Sequence, residues 1–186
     1  GVHVSWYLKY RKNLWKDGKE AKEVRTGLGK YVDTVSANEG DVQKALGLKA
    51  ESQGDGEDGA LNIENYKAIA SLAMQTYPNI KRVAITLRES KSANHNDWSA
   101  CLYNGKDFFL PRKYAITDIV DRVGGGDSFG GGLIYGLNTY ADEKTALEFD
   151  VAASCLQHTI LGDYNRISIS EVESLMKGSG TGRVQR

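Results

Sequence analysis

One run of twelve residues constrains this chain more than any other: Asp121-Arg122-Val123-Gly124-Gly125-Gly126-Asp127-Ser128-Phe129-Gly130-Gly131-Gly132, set between a predicted strand and a predicted helix. Glycines at a helix entrance let backbone N–H groups converge without side-chain obstruction, and the positive end of the helix dipole adds to them, so the turn suits an anion such as a phosphate. It is not a Walker A loop, because no Lys-Ser/Thr follows the glycines, nor a dinucleotide fingerprint, because an acid stands directly after them. A carboxylate beside a phosphate turn would repel the anion if it only bound it. As a base that takes a hydroxyl proton during phosphoryl transfer, it has a role. Asp127 is therefore the candidate base; the alternative is that Gly130, Gly131 and Gly132 allow close helix packing while Asp127 caps the helix.

Around this run the chain alternates strands and helices. Val2–Leu8 reads as a strand, Glu20–Tyr31 as a helix with Ala21, Val24, Leu28 and Tyr31 on one side, and 32–38 as a buried strand ending at Asn38. A short helix is expected over 39–48, with Val42, Ala45 and Leu46 on one side. An acidic, glycine-rich loop follows over 51–60, without EF-hand spacing. A helix from Asn62 to Pro78 carries Tyr66, Ile69, Ala70 and Ala73 at helical spacing, and a strand over 82–89 comes next. Asn104-Gly105 signals a two-residue hairpin, and helices are expected over 126–140 and 143–160, the second with Ala146, Phe149, Ala153, Leu156 and Ile160 along one face. Ser170 and Glu173 match a capping box for a last short helix. The pattern predicts an open α/β sheet covered on both faces, in which ligands bind beyond the carboxyl ends of the strands.

Composition narrows the possible partners. Lysine plus arginine and aspartate plus glutamate both total 24 in 186 residues, so no net charge favours nucleic acid or an anionic membrane. No apolar run approaches the roughly 20 residues of a membrane span. Cys101 and Cys155 are too few for a disulfide framework, and no secretory signal pattern opens the sequence; both observations predict a reducing, cytoplasmic setting. His3, His95 and His158 show no ligand spacing and support no Ser-His-Asp triad.

The segment DRVGGGDSFGGGLIYGL resembles the C-terminal signature of the ribokinase-like (PfkB) carbohydrate kinases, and more narrowly that of the 2-keto-3-deoxygluconate kinases. YRKNLW, ANEGD, ITLRES followed by NHNDWSACLY, and the closing GRVQR are similar to segments of those enzymes in the same order. The resemblance implies a three-layer α/β/α fold with a mostly parallel, Rossmann-like sheet and a late hairpin. It further implies ATP-dependent phosphorylation of a sugar acid, with 2-keto-3-deoxygluconate the substrate it points to. In that reading Asp127 activates the sugar hydroxyl, and the N–H groups of Gly124, Gly125 and Gly126 form the anion hole. Arg11 grips the substrate carboxylate, a task suited to a planar guanidinium, and Asp163 bonds the sugar end. Ser36, Thr86, Leu87 and Arg88, at strand ends, line the nucleotide cleft together with Gly124 and Gly126. Asn38 with Asp41 resembles the acidic motif that organises Mg²⁺ and phosphates through water.

The sequence departs from the family pattern at Tyr7 and Lys9, where relatives usually carry an aspartate and an asparagine. Relatives are also about twice as long. The resemblance thus implies that residues 1–186 match a C-terminal, ATP-binding and catalytic portion, without the N-terminal part that carries most sugar contacts and a β-sheet lid. A strand so near the first residue likewise predicts a sheet entered midway. Two expectations follow: a sugar-acid kinase, or a non-catalytic nucleotide-binding remnant or half of a split kinase, working with a separate N-terminal half or as a homo-oligomer.

Overall fold

A computed structural model describes residues 1–16, 18, 20–38, 40–42 and 63–178. The element order is β1 (Ser5–Leu8), a 3₁₀ turn (Lys12–Leu14), α1 (Ala21–Gly29), β2 (Thr34–Asn38), α2 (Ile63–Thr76), β3 (Arg82–Ser92), β4 (His95–Tyr103), β5 (Phe108–Phe109), β6 (Tyr114–Ile116), α3 (Gly125–Thr139), α4 (Glu143–Gln157) and α5 (Ile169–Lys177). The strands follow the order β1-β2-β3-β4-β5, with β6 on β4. No helix among the described residues is long and apolar enough to cross a membrane.

The chain divides into two compact units, Gly1–Thr86 with Leu102–Phe108, and Leu87–Cys101 with Phe109–Arg186. In the first, β1, β2 and β3 are parallel, with Tyr7 opposite Ser36 and Asn38 opposite Thr86. Parallel neighbours need covering on both faces, and the strand residues Leu8, Val35, Ala37, Val83 and Ile85 are accordingly all buried, as are Ile69, Ala70 and Ala73 of α2. In the second unit β6 runs antiparallel to β4, with Trp98 opposite Tyr114, and Phe129, Leu133, Leu147, Val151 and Leu156 are buried. Cys101 and Cys155 are buried free thiols.

Several elements differ from their sequence reading. β1 begins at Ser5 rather than Val2. In α1 the spacing of Ala21, Val24, Leu28 and Tyr31 does not mark the inward face: Val24 is 39%, Leu28 51% and Tyr31 64% exposed. Of these four only Ala21 is buried, and the helix adds Gly29. A Cβ on Gly29 would come within 2.7 Å of the Tyr77 ring, so a residue without a side chain forms the contact. The turn at Asn104-Gly105 is also longer than two residues, because the Asn104 side chain accepts from the N–H groups of Lys106 and Asp107 and closes a wider loop. Gly105 provides the positive φ of +90°.

α4 is buried nearly all round rather than along one stripe, and it stops at Gln157, leaving Ile160 outside. The last helix is capped two residues earlier than expected. Ser168 Oγ accepts from the Glu171 N–H and the Glu171 carboxylate accepts from the Ser168 N–H, while Glu173 accepts from the Tyr140 hydroxyl. Residues 40–42 are helical and Val42 is buried, whereas the rest of that expected helix and the acidic segment 51–60 lie outside the described residues.

Candidate active site

The glycine turn lies in the second unit, at the entrance to α3. Gly124 is the N-cap residue and has φ +79°, a left-handed conformation that glycine adopts without a Cβ penalty. A Cβ there would sit 2.5 Å from the Asp163 carbonyl oxygen, and one on Gly125 would sit 3.0 Å from the His158 ring. Both glycines are buried and Gly126 is half-buried. The absent side chains thus let the 162–163 loop and His158 close on the turn.

Four residues outside the glycines hold this geometry. Asp121 Oδ1 accepts from the N–H groups of Arg122 (2.7 Å) and Val123 (3.0 Å), and its Oδ2 accepts from the Gly162 N–H at 2.9 Å. The bonds from Val123 and Gly162 hold its carboxyl below the usual range. Gln157 donates to the Gly162 carbonyl at 2.7 Å. His158 is buried beside Trp98, and its Nδ1 donates to the Ser154 carbonyl at 2.7 Å. Burial lowers its pKa, which favours the neutral ring. Arg122 donates to the carbonyls of Ala93 and Ser92, tying the turn to the β3–β4 connection.

The first N–H groups of an α-helix have no carbonyl within the helix one turn back, and α3 opens with Gly125 and Gly126. The Gly125 N–H reaches the Arg122 carbonyl only at 3.4 Å. Asp127 is exposed in this first turn. Asp163 is exposed as well, directly after Gly162 with φ +89°. Its backbone, not its carboxylate, is what meets Gly124.

The other expected site residues sit as follows. Asn38 closes β2 and faces Thr86 across the parallel pairing. Asn38 Nδ2 donates to Asp41 Oδ2 at 2.8 Å, and the Asn38 side-chain oxygen accepts from the Asp41 N–H at 2.8 Å. Asp41 Oδ1 also accepts from the Tyr10 N–H, so this pair latches the end of β2 to the chain after β1. Ser36 is buried in mid-strand. Thr86, Leu87 and Arg88 are not at a strand end, because β3 continues to Ser92 to pair with β4 after its pairing with β2 stops at Thr86. Of these three, Leu87 is buried and Arg88 is exposed. Arg11 is exposed just before the 3₁₀ turn.

Sequence reasoning missed Asp121, Gln157 and His158. The Asp121 signal was weak but present: a short acid followed two residues on by the N–H that it accepts is an Asx-turn pattern. The links from the turn to residues 157–163 span more than 30 positions and leave no local trace.

No protein-family model matches the chain. It is 28% identical over 182 residues to a 2-dehydro-3-deoxygalactonokinase of Haloferax volcanii, covering 98% of this chain and 49% of that protein. The crystal structure of 2-dehydro-3-deoxygluconokinase from Thermotoga maritima is 44% identical, with a TM-score of 0.84 over 95% of this chain and 50% of that one. A PfkB family carbohydrate kinase from Listeria grayi is 27% identical, with a TM-score of 0.79 over 96% and 51%. The chain spans about half the length of each of these relatives. Over that half, it has the ribokinase-like α/β fold of the PfkB carbohydrate kinases.

Proposed function

We propose that the protein transfers the γ-phosphoryl group of ATP to a hydroxyl of a sugar acid, with 2-keto-3-deoxygluconate the substrate its likeness to 2-dehydro-3-deoxygluconokinase favours. The observation that carries this reading is the Gly124–Asp127 turn: buried glycines at a helix entrance with an exposed carboxylate in the first turn. Asp127 takes the hydroxyl proton as the oxygen attacks phosphorus, and the bond from phosphorus to the ADP leaving oxygen breaks. The N–H groups of Gly124, Gly125 and Gly126 face the charge that spreads over the transferring oxygens. Arg11 binds the substrate carboxylate and Asp163 a sugar hydroxyl. Thr86, Leu87, Arg88 and Ser36 belong to the nucleotide side.

The donor set suits Mg²⁺ held through water. No group of three or more His, Cys, Asp or Glu residues that could hold a metal occurs among the described residues, and each Asp41 oxygen already accepts one protein N–H while keeping acceptor capacity for a metal-bound water. When bound, the ion neutralises phosphate charge; Asn38 and Asp41 orient its water shell. A cytoplasmic setting goes with ATP as substrate and with two free thiols.

A second reading, one half of a two-piece kinase, is favoured by β1, which ends the strand order and offers an edge for another strand from a separate chain or a second copy. Phosphorylation of 2-keto-3-deoxygluconate with Mg²⁺ and ATP, compared with gluconate, ribose and fructose, separates the two. Turnover selective for the keto acid supports the kinase; ATP binding without turnover supports the half-enzyme; neither binding nor turnover contradicts both.

A further inference from the structure

The apolar stripe of α1 is exposed, and it lies on one particular flank of the helix. The buried residues Ala21 and Gly29 mark the inward side. One flank is taken by the end of α2: the Tyr77 hydroxyl donates to Thr26 Oγ1 at 3.4 Å, the Tyr77 ring meets Gly29, and Asn79 Nδ2 donates to the Gly29 carbonyl at 2.9 Å. At about 100° per residue, Val24 and Leu28 project from nearly the opposite flank, and Tyr31, just past the helix end, continues their stripe. All three are exposed. Apolar residues at i and i+4 are ordinarily the seam of a helix against a neighbour, and no described element covers this one.

The sheet indicates which element belongs there. β1, β2 and β3 are parallel and step across the sheet in chain order. Crossovers between parallel strands are right-handed, so α1 and α2 lie on the same face. A further strand on the free edge of β1, leading into it through a helix, would continue this series. Its helix would lie on that same face, beside α1 on the flank away from α2, over Val24, Leu28 and Tyr31. Open edge and open flank thus call for one strand–helix unit, and relatives of about twice the length have a further half that can supply it. Taking the half-enzyme reading above as given, we infer that this flank of α1 and the free edge of β1 form the docking surface for the other half of the kinase as a separate chain. That partner adds a strand parallel to β1 and lays the apolar stripe of an amphipathic helix on Val24, Leu28 and Tyr31. The same contact explains why the apolar spacing of α1 does not mark its inward face: the stripe faces a neighbouring helix, not the sheet.

The test co-expresses the full chain with a tagged second chain, the half of the Thermotoga maritima 2-dehydro-3-deoxygluconokinase that this chain does not match, and follows the purified proteins by sedimentation and hydrogen exchange. A one-to-one complex should form, with exchange slowed in β1 and α1. Val24→Gln and Leu28→Gln, checked for an unchanged thermal melt, should each weaken it by at least about tenfold, the loss of one buried aliphatic side chain; Lys22→Gln, elsewhere on the same helix, should not. No complex, slowed exchange confined to other elements, Gln variants at 24 and 28 that associate like the parent, or a homodimer of the chain alone that those variants dissociate would overturn the inference. Turnover of the keto acid by the chain alone, beside a complex that the two variants weaken, would sink the half-enzyme reading alone; an active complex indifferent to both variants would sink the docking surface alone.

Discussion

A methyl group at Gly124 would have to occupy space 2.5 Å from the Asp163 carbonyl oxygen, on a backbone at φ +79°. The neighbour is backbone, not a flexible side-chain end, so neither partner can give way cheaply. Gly124→Ala should therefore disrupt the turn, lowering stability by ~1–3 kcal/mol and any turnover far more; a variant with parental melting and parental activity would show that the turn does not need this conformation. The glycine turn and its place at a helix entrance were legible in the sequence because they lie in consecutive positions. The braces were not, because Asp121 meets Gly162 across 41 positions and His158 reaches Gly125 only once α4 is packed.

Within α3 the glycines divide by what surrounds them. Gly131 is exposed, and a Cβ there would meet nothing within 4 Å, while one on Gly136 would meet the Ala146 backbone oxygen at 2.7 Å. Gly131→Ala should stabilise by about 0.5–1 kcal/mol through helix propensity. Gly136→Ala should destabilise despite the same propensity gain, since α4 lies directly against it. Thermal or urea melts of both variants check this, and equal signs would contradict the packing argument. Gly132 belongs with Gly136, since a Cβ there would meet Asp150 Oδ1 at 2.8 Å. Packing thus accounts for part of the second glycine triplet. The alternation of strands and helices was readable from period and turn residues, but not which side of α1 faces inward. Gly29 makes that contact without contributing to any hydrophobic pattern. Likewise, Ser168 and Ser170 each stand three residues before a glutamate, and only the packed helix chooses between them.

For the whole molecule, the least expected charge is Asp150. Its carboxyl is fully buried in α4 and neither oxygen has a well-formed hydrogen bond; burial pushes its pKa well above the ordinary carboxylate value, only partly opposed by a weak bond from the Leu133 N–H. Between the unfolded and the raised folded pKa, the folded state binds more protons than the unfolded state, so this group makes stability fall as pH rises from about 4 towards its folded value. Asp150→Ala should accordingly stabilise the protein at pH 7, by ~1–3 kcal/mol, and less as pH approaches 4. A destabilised variant with an unchanged pH profile would contradict a neutral buried carboxyl. Nothing in the sequence marked this residue, because an acid on a helix is ordinarily solvated. The glycine turn and the family-like segments, by contrast, were local enough to read directly. The most direct measurement of the central claim pairs Asp127→Asn with the parent in two assays, ATP binding and Mg²⁺-dependent phosphorylation of 2-keto-3-deoxygluconate. A base acts in the transition state and not in nucleotide binding. The account therefore predicts unchanged ATP affinity with turnover reduced by at least about a hundredfold; turnover equal to the parent's would contradict it.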